Sequence, residues 1–197
     1  MALATDYFSF LGLARKLTLD GAVLERRFHQ LSWKLHPDQY HNTSSYEQEL
    51  SLEKTSVLND AYRTLRDPVA RVEYLLGQEG VRREGETKQQ APPDLLAEVF
   101  ELNEYLEELR AAKSSGGDTR ALADLRHRLE KARESFQEQL DAVLAELTAR
   151  FREWDEVVEG DDAAAARSAL EKMSEILNRH SYIRNLVRNV NDELAEE

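Results

Sequence analysis

Apolar residues recur along most of this chain at alternating spacings of three and four, which is the pattern of an amphipathic α-helix. The first clear case predicts a helix over residues 20–35, with a stripe formed by Leu24, Phe28, Leu31 and Leu35. Asp20 suits the N-cap of this helix, because a carboxylate there accepts hydrogen bonds from the first backbone N–H groups. The same periodicity continues to the C-terminus and predicts an all-α protein.

A second helix is predicted after a polar loop, and two overlapping capping-box patterns begin at Ser44 and Ser45. Asp67 and Pro68 end this helix and open a short one, since Asp is a good N-cap and Pro is tolerated at the first helical position. Residues 1–80 are therefore predicted to form one small domain. It is an antiparallel helical hairpin with short flanking helices.

The pattern changes after residues 81–93, which contain few apolar side chains, end in two prolines and are interpreted as a linker. Heptad-like spacing follows at Leu95, Val99, Leu102, Leu106 and Leu109. Two longer helices with similar stripes come next, separated by the turn sequences SSGGD and EGDD. Helices joined by short turns bury their stripes against one another, so residues 94–197 are predicted to form an antiparallel three-helix bundle.

Composition narrows the function classes. The chain has 197 residues, with 26 Lys and Arg against 38 Asp and Glu, and this acidic balance argues against nucleic acid as a partner. It has no cysteine, which excludes disulfides, thiolate metal sites and cysteine nucleophiles. We find no run of about 18 apolar residues and no charged leader before an apolar run, so we expect no membrane partner and a cytoplasmic location.

Charge is shared unevenly along the chain. Residues 1–80 carry 9 basic and 11 acidic side chains, whereas the remainder carries 17 and 27, so we expect the two domains to meet different partners. The first long helix presents Arg26, Arg27 and Lys34 away from its apolar stripe, and no acidic residue occurs from Arg26 to Pro37. A local basic face therefore leads directly into His36-Pro37-Asp38.

The His-Pro-Asp tripeptide interrupts the helix. Proline disfavours the helical conformation of the residue before it and lacks an N–H, so the helix is predicted to stop at His36 and leave an exposed polar corner. His36, Asp38 and His41 are permissible metal ligands, but no fourth ligand or fixed geometry is evident. A hydrolytic role for His36 with Asp38 lacks a nucleophile and an oxyanion-stabilising feature. We expect no cofactor.

These features together resemble the J-domain of the DnaJ class. Its hallmark is an HPD tripeptide between two antiparallel helices, the first of them basic, and NDAYRTLRDP in the following helix matches as well. The resemblance implies docking on an ATP-driven chaperone of the DnaK class and stimulation of its ATP hydrolysis. The residues implied are His36, Pro37 and Asp38, with Arg26, Arg27 and Lys34 steering an acidic surface into place.

The resemblance extends to the HscB family, the Jac-type co-chaperones of iron–sulfur cluster assembly. It is carried by DYFSFLGL near the start, HPDQY at the corner, DPVARVEYLL in the short helix, and the layout of a J-domain followed by a three-helix bundle. It implies a non-enzymatic co-chaperone, monomeric or weakly dimeric. Its partners would be a DnaK- or HscA-type chaperone and an IscU-type iron–sulfur scaffold protein. A eukaryotic member would lie in the mitochondrial matrix.

The first bundle helix carries two apolar residues off its stripe. Leu96 and Phe100 lie one turn apart and about 100–140° from the centre of the stripe, next to acidic side chains. The sequence leaves two alternatives open for these side chains: either a third helix covers them, or they form an exposed patch for a partner. By motif match, the scaffold-contacting positions of the family fall on Leu96, Phe100, Glu101 and Glu104.

The family also uses an aromatic residue on the last helix. Tyr182 is the expected counterpart because it lies off the stripe that contains His180, although a second register places Glu175 there. His180 itself is predicted to be a packed core residue. Two other functions stay open from the sequence: a J-domain co-chaperone with a different client, and a coiled-coil scaffolding protein in which the HPD tripeptide is incidental.

Overall fold

The computed structural model describes residues 6–40, 42–81, 92–116, 118–160 and 162–195. Across these ranges it contains helices and no strand, which confirms the predicted all-α class. The α-helices are α1 (Tyr7–Phe10), α2 (Gly21–Leu35), α3 (Ser45–Arg66), α4 (Pro68–Gln78), α5 (Leu96–Ser114), α6 (Thr119–Glu159) and α7 (Ala163–Ala195). Short 3-10 turns cover Pro37–Tyr40 and Pro93–Leu95. Over the same ranges, no helix combines the length and the apolar character needed to cross a membrane.

The chain forms two compact units whose limits differ from the predicted domains. The N-terminal unit contains Met1–Glu84 together with Ala149–Glu171, and the bundle unit contains Gly85–Thr148 and Lys172–Glu197. The adjoining ends of α6 and α7 therefore group with the first 84 residues rather than with the rest of the predicted 94–197 bundle. Most of the predicted linker, residues 82–91, lies outside the described residues.

Side-chain caps set the helix starts in the N-terminal unit. The Asp20 carboxylate accepts the N–H of Ala22 at 2.8 Å and begins α2 as predicted. Of the two possible capping boxes, the one formed by Ser44 and Glu47 starts α3. Its reciprocal hydrogen bonds to Ser44 hold the pKa of the Glu47 carboxyl below its ordinary value. Asp67 caps α4, as predicted.

The hairpin of α2 and α3 forms the core of the N-terminal unit. One cluster of buried residues joins α1 and its C-cap to α2 and α3: Phe8, Leu11, Leu24, Leu58, Ala61 and Leu65. Phe28 stacks on Tyr62 with ring centroids 4.2 Å apart, whereas Leu35 contacts Ser51. Because later residues of α2 meet earlier residues of α3, the two helices are antiparallel.

Two buried charges hold the loop between α1 and α2. The Asp155 carboxylate accepts the N–H groups of Leu17 and Thr18 at 2.7 and 2.9 Å. Arg71 donates to the carbonyl oxygens of Leu17 and Leu65. Burial lowers the pKa of the Arg71 guanidinium, while the nearby Asp67 and Asp155 partly offset this effect. These bonds explain why the end of α6 belongs to the N-terminal unit.

In the bundle unit, α6 runs antiparallel to both α5 and α7. Gln139 of α6 donates a hydrogen bond of 2.6 Å to Glu98 near the start of α5, whereas Arg128, earlier in α6, lies over the ring of Tyr105, later in α5. Arg110 near the end of α5 meets Glu193 near the end of α7 at 2.8 Å, so α5 and α7 are parallel to each other. The core comes from all three helices and includes Leu102, Leu106, Leu109, Leu129, Phe136, Val143, Leu177 and Ile183. His180 is also buried, as predicted.

Candidate functional site

The His36-Pro37-Asp38 tripeptide forms a sharp corner at the end of α2. His36 leaves the helical conformation, with φ −61° and ψ 131°, as expected for a residue before proline. Pro37 then opens a 3-10 turn, in which the Gln39 N–H donates to the His36 carbonyl at 2.9 Å. The corner is therefore a defined turn, and the predicted helix stop is confirmed.

The carbonyl groups at the end of α2 have partners outside the helix. A helix leaves its last carbonyls without intrahelical donors, and here side chains supply them. The Tyr40 hydroxyl donates to the Lys34 carbonyl at 3.3 Å, and the Ser51 and Thr55 hydroxyls donate to the Leu35 carbonyl at 2.7 and 3.0 Å. These bonds fix the corner against α3.

The side chains of the corner point toward solvent while contacting each other. His36 is 54% exposed and Asp38 87% exposed, with the His36 Nδ1 3.5 Å from the Asp38 Oδ2. The Asp38 N–H also donates to His36 Nδ1 at 3.2 Å. The Nδ1 atom of His36 is thus occupied within the turn, and the exposed corner presents an imidazole ring beside a carboxylate.

The basic face of α2 lies directly before the corner. Arg26, Arg27 and Lys34 are all exposed, whereas the apolar stripe of the same helix packs in the hairpin core. The structure thus places these cations on one outward surface that ends at His36. We call the outward side of α2 between Arg26 and Lys34, together with the His36-Pro37-Asp38 corner, the α2 face.

The metal-site alternative gains no support among the described residues. No group of three or more His, Cys, Asp or Glu side chains there is arranged to hold a metal ion. His41, one of the three ligands considered for such a site, lies outside the described residues. His36 and Asp38 alone provide two exposed groups.

The second predicted surface lies on α5, within the bundle unit. Leu96 is 43% and Phe100 70% exposed, and Glu101 and Glu104 are exposed beside them. No helix of the described part of the chain buries the two apolar side chains, so the covered alternative does not hold. We call Leu96, Phe100, Glu101 and Glu104 the α5 patch.

One member of the α5 patch already has a partner within the chain. The Tyr105 hydroxyl donates a hydrogen bond to the Glu101 carboxylate, and this bond raises the pKa of the tyrosine. Arg128 of α6 lies over the Tyr105 ring, and these residues line an open groove of about 300 Å³ between the two helices. Glu104 is exposed as well, and it adds a second carboxylate to the α5 patch.

Tyr182 is the residue that the family resemblance predicts as the aromatic contact on the last helix. It is half-buried on α7, between the buried residues Ser181 and Ile183. Tyr182 therefore stays a predicted member of the scaffold-binding surface.

Sequence reasoning missed the groups that support the corner. The sequence analysis assigns no role to Ser51 and Thr55, because a sequence does not show which carbonyl a hydroxyl in the interior of a helix will meet. Ser51 is nevertheless almost fully buried. One available signal was the spacing of four between two hydroxyl residues on the α3 stripe that faces α2.

Comparisons with known proteins agree with this geometry. Residues 6–74 match the family described as DnaJ domain. A co-chaperone protein HscB homolog of Aliivibrio fischeri is 35% identical over 139 residues, which are 71% of this chain and 80% of that protein. The homolog of Vibrio vulnificus is 38% identical over 104 residues, and this match spans 53% of the chain and only 61% of the relative's length.

A solved structure has the same architecture. The chaperone HscB from Vibrio cholerae aligns with a TM-score of 0.63 and 26% sequence identity, over 95% of this chain and 96% of that one. Both units of the chain are therefore represented in the neighbour. With the DnaJ-domain match, the HPD corner and the relatives that align over most of their length, the chain belongs to the HscB co-chaperone family.

Proposed function

We propose that this protein is a non-enzymatic co-chaperone of iron–sulfur cluster assembly in the cytoplasm. Its α2 face docks on a DnaK- or HscA-type chaperone and stimulates ATP hydrolysis by that partner. Its bundle binds an IscU-type scaffold protein and delivers it to the same chaperone. Family membership supports the general role. The α2 face and the α5 patch support the proposal that the protein binds the chaperone and the scaffold at separate surfaces.

The exposure of the His36–Asp38 pair carries the chaperone half of this proposal. Side chains held in water by a fixed turn, with no core to fill, are available to a partner. Asp38 offers a carboxylate that suits a bidentate arginine, and the exposed His36 imidazole lies next to it. The cations of the α2 face raise the rate of encounter with an acidic surface more than the final affinity.

Single-turnover ATP hydrolysis by the purified partner chaperone tests this half. His36→Gln is expected to abolish stimulation, because the glutamine amide does not reproduce the imidazole geometry, while far-UV circular dichroism stays unchanged. His127→Gln is the matched control, since His127 is an exposed histidine on α6. Equal stimulation by wild type and His36→Gln would refute the docking role.

The α5 patch carries the scaffold half. Burial of a large apolar side chain stabilises a complex by about 1.5–3 kcal/mol, so two such residues can decide a micromolar interaction. The exposed carboxylate of Glu104 adds specificity for a basic rim on the scaffold. Tyr182 and Glu101 are proposed contributors.

Affinity for an IscU-type scaffold tests this half separately. Leu96→Ala combined with Phe100→Ala is expected to weaken binding at least tenfold in titration calorimetry. Val158→Ala serves as control, because Val158 is an exposed apolar residue that belongs to the N-terminal unit. Chaperone stimulation without any scaffold binding by the wild type would instead indicate a J-domain co-chaperone with another client.

A further inference from the structure

An exposed tryptophan lies in α2 and is not used by the fold. Trp33 is 73% exposed, although tryptophan is among the side chains that gain most from burial. The core residues of α2 are on its opposite side, where Leu24 is buried and Phe28, Leu31 and Leu35 pack against the hairpin core. Trp33 therefore needs an explanation other than packing within the chain.

Helix geometry places Trp33 within the α2 face. Seven residues separate it from Arg26, so the two side chains leave the helix within about 20° of each other. Trp33 lines a shallow groove with His29, Gln30 and Lys34. The corner at His36 begins three residues later, about one helical turn along the axis.

This arrangement matches the composition of a binding hot spot. Partner interfaces are enriched in tryptophan and arginine at their centres, where a large apolar side chain is desolvated and charged groups surround it. Here the indole is apolar, the flanking cations are Arg26 and Lys34, and no acidic residue occurs from Arg26 to Pro37. The surface is complementary to an apolar depression with carboxylates around its rim.

We propose that Trp33 is an affinity anchor of the α2 face, with its indole seated in such an acidic-rimmed apolar depression on the DnaK-type chaperone. This inference rests on the chaperone-docking function proposed above. His36 and Asp38 carry the signal that stimulates hydrolysis, whereas Trp33 sets how tightly the chaperone is held. The two roles predict different kinetic consequences.

Titration of the co-chaperone in the ATPase assay separates these roles. Trp33→Ala is expected to raise the concentration needed for half-maximal stimulation at least tenfold and to leave the maximal rate unchanged. Trp33→Phe is expected to fall between wild type and Trp33→Ala. Leu52→Ala, which removes an exposed apolar side chain of α3, is expected to behave as wild type.

Fluorine NMR gives a direct readout of the indole. The chain has two tryptophans, and Trp154 is buried, so 5-fluorotryptophan labelling yields two signals that Trp33→Phe assigns. On addition of unlabelled chaperone with ATP, the chemical shift of the Trp33 signal is expected to change, while the Trp154 signal stays in place. The difference between the Trp33 chemical shifts in H₂O and in D₂O, which reports exposure to solvent, is expected to disappear.

The outcomes discriminate between the two proposals. If Trp33→Ala needs the same concentration as wild type for half-maximal stimulation, or if the Trp33 signal does not change at saturating chaperone, the anchor role of Trp33 is overturned. The docking function still stands in that case, provided that His36→Gln loses stimulation. Absence of stimulation by the wild-type protein overturns both. An unchanged melting temperature in Trp33→Ala shows that its effect is not one of folding.

Discussion

The Ser51 hydroxyl donates a hydrogen bond of 2.7 Å to the carbonyl oxygen of Leu35, the last residue of α2. This bond joins the first part of α3 to the end of α2. Because Pro37 prevents α2 from continuing, the half-buried Leu35 carbonyl needs donors from outside the helix, and the Thr55 hydroxyl supplies the second one at 3.0 Å. The bond therefore supports the corner that presents His36.

Replacing Ser51 by Ala together with Thr55 by Val is expected to lower stability and loosen the corner. The Leu35 carbonyl loses both donors, which costs about 1–3 kcal/mol when the group is left unsatisfied. Differential scanning calorimetry should show a melting temperature lower by several degrees. Hydrogen exchange of the Gln39 N–H, which closes the turn on the His36 carbonyl, should accelerate.

Ser56→Ala is the matched control for the Ser51 and Thr55 variant, because Ser56 is an exposed residue of the same helix. It is expected to leave both measurements within error of wild type. An unchanged exchange rate at Gln39 in the double variant would show that the corner does not depend on these hydroxyls.

Asp155→Asn is expected to destabilise the N-terminal unit. Both carboxylate oxygens of Asp155 accept backbone N–H groups, from Leu17 and Thr18, and an amide can serve only one of them. The other N–H would face an NH₂ group, at a cost of about 1–3 kcal/mol. Thermal unfolding measures the loss, and Glu156→Gln, at an exposed neighbouring position, controls for the change in net charge.

Glu193 should make the bundle unit sensitive to acid. Burial opposes ionisation of this carboxyl, but hydrogen bonds from Arg110 and Lys113 outweigh it, so the pKa of Glu193 lies below its ordinary value of 4.5. A lowered folded-state pKa contributes stability above the unfolded pKa, and that stability is lost as pH falls through the folded value. Wild type should therefore lose stability below about pH 4.5.

Urea unfolding of wild type and Glu193→Gln at pH 7, 5, 4 and 3 checks the role of Glu193. The variant is expected to be less stable at neutral pH by about 1–3 kcal/mol, because Arg110 and Lys113 then face a neutral amide in place of a buried carboxylate. The difference should shrink as pH falls below 4.5. Asp192→Asn, at an exposed adjacent residue, should show no such convergence. A constant difference across the series would contradict the assignment.

Two phenylalanines of the bundle unit should respond oppositely to truncation. Phe136 is 2% exposed and Phe100 70% exposed. Phe136→Ala leaves a cavity and is expected to cost about 3–5 kcal/mol, whereas Phe100→Ala should barely move the melting temperature and should weaken scaffold binding. A steep fall in melting temperature for Phe100→Ala would place that residue in the core and remove it from the α5 patch.

Much of this fold could be predicted because its signals are local. The capping residues Asp20, Ser44 and Asp67 act on backbone groups within three residues, and Pro37 acts on its immediate neighbour. Helical periodicity likewise separates buried positions from exposed ones. The same reasoning placed Leu96 and Phe100 off the apolar stripe of α5, and both side chains are exposed.

The predicted domain limits depended on information that the sequence does not hold locally. Residues 149–171 continue the helical pattern of the bundle, yet they group with the N-terminal unit. The reason is the pairing of Asp155 with N–H groups 137 and 138 residues earlier in the chain. A charged residue next to Trp154 near the end of a long helix gives no sign of such a partner.

The sequence by itself determined the helices, their starts and stops, the acid-free face of α2 and the His-Pro-Asp corner, because each depends on residues a few positions apart. The tertiary structure decided which long-range groups complete them. Ser51 meets Leu35, and Asp155 meets Leu17, because the packing of helices brings an acceptor to a donor. Hydrogen bonds depend on distance in space, and only the folded chain fixes that distance.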